Sequence, residues 1–91
     1  MDISFPHDTS TFRGTNLTIV FPALVDGKRI ECAISAEALE DHFGAQSARE
    51  TDLLAAFVEH RPAIEQAARR LFAQLGDTPL LLRSGYLRFA R

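Results

Sequence analysis

The residues of this chain with the chemistry to act on another molecule are one cysteine, three histidines and an arginine in an unusual position. Cys32 as a nucleophile would need a helix N-terminus or a cation to favour its thiolate, together with access to solvent. Strand parity points it inward instead, where a small buried thiol packs like an apolar side chain. His7, His42 and His60 are not paired at the i, i+4 spacing of helical zinc ligands. Asp41-His42 and Glu59-His60 are sequence neighbours, and on a helix adjacent side chains diverge by about a hundred degrees, so neither pair is a ready acid–base couple. Arg61 stands between Phe57 and Ile64 where the helical stripe asks for an apolar residue. It is a candidate ligand-binding or structural arginine, and a carboxylate of the first helix, Asp41 or Glu40, is its expected partner. No glycine-rich phosphate loop, nucleophile elbow or metal-binding pair occurs. The expectation is a protein with no catalytic residues, no cofactor and no metal.

The stretch that must position these residues runs from Leu17 to Phe43 and reads as a hairpin feeding a helix. Asp26-Gly27 tolerates positive φ at both central positions and suits a type I′ turn. A two-residue loop sets Val25 opposite Lys28, Ala23 opposite Ile30, Phe21 opposite Cys32 and Ile19 opposite Ile34, all on one face. The other face carries Thr18, Val20, Pro22 and Leu24 against Arg29, Glu31 and Ala33. Pro22 has no N–H and falls at a non-hydrogen-bonded pair with Glu31, so a continuous ladder on the outer side of the first strand is not expected there. That reasoning makes the second strand the more central one.

Before the hairpin, Ile3 to Phe5 reads as a short edge strand stopped by Pro6, and His7 to Asn16 as a loop. Ser35 is placed to cap a helix from Ala36 to about Phe43, ended by Gly44. Ser47-Ala48-Arg49-Glu50 has capping-box spacing and opens a second helical segment, whose heptad phase from Phe57 to Ile64 predicts one helix bent near Pro62. Leu80 to Arg83 returns as a strand, followed by a turn or bulge at Ser84-Gly85 and a loose alternation of Tyr86, Leu87 and Phe89 with arginines. The expected architecture is α+β over residues 1–91 as a single domain. It has a small antiparallel sheet, built from the hairpin, a C-terminal strand and a short N-terminal strand, with two helices packed on one face.

Composition fits that scale. Ninety-one residues at 46% hydrophobic content make one core, with a margin thin enough that a homodimer covering leftover apolar surface is a reasonable expectation. The formal charge of −2 gives no push toward nucleic acid or anionic membrane. A lone cysteine needs no oxidising compartment, the start MDISFPHD lacks a signal-peptide pattern, and no apolar run reaches the ~20 residues of a membrane span. These readings predict a cytoplasmic protein.

The ordered set Ile19-Val20-Phe21-Pro22-Ala23 to Gly27, Ile30-Glu31-Cys32-Ala33-Ile34-Ser35 and Ala38-Leu39-Glu40-Asp41-His42-Phe43-Gly44, with Phe57, His60-Arg61 and Ile64-Glu65, resembles a known family. It is that of short proteobacterial proteins catalogued as a domain of unknown function, number fourteen eighty-eight. The resemblance runs from Phe5 to Arg83. It implies a one-domain α+β fold and carries no activity and no catalytic residues.

Two functions then compete. The first is a small regulatory or interaction module, binding an unknown protein or a second copy through Val20, Pro22 and Leu24, with Arg29 and Glu31 as polar rim. The alternative is a nucleic-acid-binding module using Arg83, Tyr86, Arg88, Phe89 and Arg91, since cations among aromatics can hold phosphates and stack bases. The negative net charge argues against the alternative. A bland reading of the exposed hairpin face also stands: Met1 to Asn16, with Phe5 and Phe12, folds across it.

Overall fold

The computed structural model describes residues 1–7 and 10–89, the last two of these as backbone only. Its centre is the hairpin of β3 (Thr18–Val25) and β4 (Lys28–Ser35). Asp26 and Gly27 take φ of 51° and 83°, the double positive φ that a two-residue turn between twisted strands requires. Asp2 braces the strained aspartate by donating its N–H to Asp26 Oδ1 at 2.9 Å and accepting the Asp26 N–H at 2.8 Å. From this turn the register follows the expected pairs, Phe21 beside Cys32 and Ile19 beside Ile34.

Two short strands flank β3 on its outer side. β1 (Ile3–Ser4) pairs at Val25 and Leu24, and β2 (Thr11–Arg13) pairs at Val20, Ile19 and Thr18. Pro22 stands in the interval between them, where no ladder asks for its missing N–H. The outer ladder is thus interrupted at the proline, as its chemistry requires. β3 is nevertheless interior, so the expectation that β4 alone would be central is corrected.

After β4, Ser35 caps α1 (Ala36–Phe43) by accepting the Ala38 N–H at 3.1 Å, and Gly44 ends the helix in the left-handed conformation at φ 72°. Next come α2 (Glu50–Glu59) and α3 (Arg61–Leu75), separated at His60. The sequence predicted one bent helix. The chain instead divides, because Pro62 can neither donate to the carbonyl four residues back nor fit its ring against it, yet suits the first turn of a new helix. Ser47 does not cap α2 directly; it accepts the Arg49 N–H and donates to Asp52.

The chain then returns as β5 (Leu80–Leu82), and here the expectation of a wholly antiparallel sheet is corrected. β5 lies parallel to β4, with Cys32 beside Leu80 and Ile34 beside Leu82. Three intervening helices supply the long crossover that a parallel pair demands. The loose alternation after Ser84 is helical, α4 (Ser84–Phe89), so four helices replace the two expected. The class remains α+β, with a mixed sheet in the order β1-β3-β4-β5 and β2 also on β3.

Ile19, Phe21, Ala23, Val25, Cys32, Ile34, Leu80 and Leu82 face one way and are buried. Leu39, Leu53, Phe57, Ile64 and Phe72 come down on them from the helices to make one cluster. The opposite sheet face forms no second buried cluster among the described residues.

Candidate functional site

On that opposite face, strand parity assembles the residues expected to form a surface. Val20, Pro22 and Leu24 lie along β3, with Arg29, Glu31 and Ala33 beside them on β4 and Leu81 beyond Ala33 on β5. Pro22 and Ala33 are buried, Val20 and Leu24 are half-buried, and Leu81 is 38% exposed. The described part of the lead-in does not fold over them. Phe5 packs on the helix side against Phe21, ring centroids 6.2 Å apart, and Phe12 sits beside Ile19 on the core face. The lead-in widens the sheet and leaves this face open; residues 8 and 9 lie outside the described ones.

Sequence reading missed Arg13. From β2 its guanidinium donates to both Glu31 oxygens, at 2.8 and 3.2 Å. Arg13 is beside Thr18 and Glu31 beside Pro22, so this ion pair crosses β3 diagonally at the level of Val20. Arg13 holds the Glu31 carboxyl below the usual carboxylate range, chiefly by hydrogen bonding. The contribution to stability is present above the unfolded carboxylate pKa and is lost as acid protonates Glu31, but both side chains are more than two-fifths exposed, at 43% and 49%, so solvent keeps it small. On one side of the bridge is a hollow of about 360 Å³ lined by Val20, Pro22, Arg29 and Glu31. A second, of about 430 Å³, lies toward the start of α1, between Thr18, Ser35, Leu81 and Arg83.

A second cluster was not legible in the sequence. Ser84, at the start of α4, donates its hydroxyl to Asp41 Oδ2 at 2.6 Å, with His42 Nε2 3.2 Å from the same oxygen and 3.1 Å from the Ser84 carbonyl. Serine, histidine and aspartate invite comparison with a hydrolytic triad, in which the histidine bridges the other two. Here the serine is the bridge. Its single proton is committed to the aspartate, so the imidazole has none to accept from it, and Ser84 itself is only 6% exposed. The arrangement fastens α4 to α1 without activating a nucleophile.

Arg61 is placed by α3 and is mostly buried, at 16% side-chain exposure. Its partner is Glu65, one turn on in the same helix at 2.8 Å, rather than Asp41 or Glu40. It also donates to the Pro6 carbonyl at 3.1 Å and lies over the Phe57 ring, 5.2 Å from the centroid. With its donors and its flat face engaged inside the fold, it clamps the lead-in to α3. Glu65→Gln, which keeps shape but removes the charge, is expected to cost about 2 kcal/mol in urea denaturation. A change below about 0.5 kcal/mol would deny Arg61 this structural task.

Comparison with known proteins decides the family. Residues 3–82 match the family described as "Protein of unknown function (DUF1488)". The chain belongs to this family. It is 35% identical over 75 residues to "Uncharacterized protein YrdB" of Escherichia coli (strain K12), covering 82% of this chain and 85% of that protein. The protein of the same name from Shigella flexneri is similar to the same extent, 35% over 75 residues. No solved structure matches. Within this DUF1488 chain the family match ends at Leu82. All the residues named above on the open sheet face lie inside it, whereas Ser84 lies outside.

The remaining candidates of the DUF1488 domain are set by burial. Cys32 is fully buried beside Phe21, and burial, aided by the nearby Glu31, pushes its thiol up to about 12. No group of three or more metal-ligating side chains occurs among the described residues. His7 and His60 each sit 4.0 Å from a glutamate, Glu65 and Glu59 respectively. At the arginine-rich end, Tyr86 is half-buried with its hydroxyl directed at the Ala67 carbonyl 3.5 Å away, and Leu87 joins the core. Arg91 lies outside the described residues, as do the side chains of Arg88 and Phe89. No helix among the described residues is long and apolar enough to cross a membrane.

Proposed function

We propose that this protein is a non-catalytic interaction module that offers the open face of its sheet to another protein chain, either a partner or a second copy. One observation carries the reading. The helices bury their apolar residues against a single sheet face, while the other face keeps Val20, Leu24 and Leu81 in partial contact with water. A wet sheet face is ordinarily polar, so an apolar row bounded by Arg13, Arg29 and Glu31 has the make-up of a docking patch with a charged rim. The non-catalytic part rests on chemistry: the thiol is buried and protonated, and the one serine near a histidine has given its proton to Asp41. We take the protein to be cytoplasmic because its sole cysteine needs no oxidising partner. The arginine-rich end supports nucleic-acid binding less well, since Tyr86 turns its hydroxyl into the fold.

The test is carbene footprinting of the chain in lysate of its native cells and as dilute purified protein. Val20, Leu24 and Leu81 are expected to be labelled in dilute solution and protected in lysate; equal labelling in both would overturn the reading. A companion variant carrying Val20→Thr and Leu24→Thr should lose no more than about 2 kcal/mol, since both side chains are only half-buried. A greater loss would identify the face as internal packing.

A further inference from the structure

We infer that the occupant of the open face is a second copy of this chain, packed sheet against sheet about a twofold axis. The inference rests on the docking reading above and adds the partner. In a twofold interface one patch meets itself, so it must be complementary to itself in shape and charge. This patch has an apolar middle of Val20, Ala33 and Leu81, and its charged pair carries one residue of each sign on opposite sides of β3. A partner surface of one sign would satisfy Arg13 or Glu31 and strand the other. A second copy, reversed by the axis, presents Glu31 of the partner subunit to Arg13 and Arg13 of the partner subunit to Glu31. Both side chains remain exposed enough to exchange, at 43% and 49%.

Relief and area agree. The hollows of about 360 and 430 Å³ flank the bridge and give recesses for projecting side chains such as the partner's Leu81. Strands of eight residues across a sheet about four strands wide cover roughly 500 Å² per copy, or about 1,000 Å² in all, the lower bound for a specific interface. The dimer therefore forms weakly and depends on concentration. Pairing through the β5 edge is a poorer route, because that strand has three residues and follows Pro79.

Sedimentation velocity of the purified chain tests this over about 1 to 300 µM. The mass is expected to rise from one chain to two. Leu81→Lys, at a position already 38% exposed, should hold the mass at one chain with an unchanged melting curve. Arg13→Glu should weaken association about tenfold, and adding Glu31→Arg should restore it by re-forming the pair with signs exchanged. A single-chain mass at every concentration would overturn the second copy; protection of the same face in lysate would then still stand for the broader docking reading. A dimer indifferent to both Leu81→Lys and Arg13→Glu would place association elsewhere and also overturn it.

Discussion

Phe21→Ala is expected to remove about 3 to 5 kcal/mol of stability, a large part of the roughly 5 to 15 kcal/mol that holds a domain of this kind together. Phe21 is 1% exposed, and its ring lies 5.1 Å from that of Phe57 and 6.2 Å from that of Phe5. It therefore joins the hairpin, α2 and the lead-in at one point. Its neighbours cannot close the space left behind, because β3 is paired on one side to β4 and Cys32 across from it is equally buried. Urea denaturation followed by circular dichroism measures the loss, and the variant is expected to be largely unfolded at low urea. A cost under about 1 kcal/mol would mean that the cavity collapses and that Phe21 is not the hub of the core.

The second large effect is at alkaline pH. In the native protein burial pushes the Cys32 thiol from 9.0 up to about 12, so at pH 8 its thiolate is about a thousandfold scarcer than that of an unhindered cysteine. Alkylation by iodoacetamide should slow by at least that factor while the chain is folded. The linkage to stability follows from proton count. Above pH 9 the unfolded chain releases the thiol proton and the folded chain retains it, so stability is full below about 9 and falls as pH rises toward 12, by about 1.4 kcal/mol per unit. Urea midpoints measured from pH 8 to 11 should decline more steeply in the wild type than in Cys32→Ala, which lacks the titrating group. Parallel declines, or rapid native-state alkylation, would show that the thiol is accessible.

The hairpin was legible because everything that sets it is local. Asp26-Gly27 sets the turn, the turn sets the register, and side-chain period two then assigns Phe21 and Cys32 to one face and Val20, Pro22 and Leu24 to the other. Pro22 carried a further message, since a missing N–H must fall where no strand asks for it, and the interval between β1 and β2 is that place. Ser35 and Gly44 likewise marked the ends of α1 through capping chemistry confined to a few residues.

What the sequence left open involves residues brought together over long separations. Nothing near Leu80 says whether β5 runs parallel or antiparallel to β4; the direction is decided by where α3 ends against the sheet. Arg13 and Glu31 meet only because β2 pairs with β3 in one particular register. Ser84 meets Asp41 and His42 only because α4 docks on α1. Arg61 chose Glu65 over the carboxylates of α1 because the break at His60 starts a new helix, one turn of which presents Glu65 beside it and the Pro6 carbonyl above. By itself, then, the sequence determined the strand register, the caps and which face is buried, since these depend on neighbours within a few residues. The parallel strand, the ion pair across the open face and the fastening of α4 were decided by tertiary structure, because each depends on the distance between segments that only packing of the whole core sets.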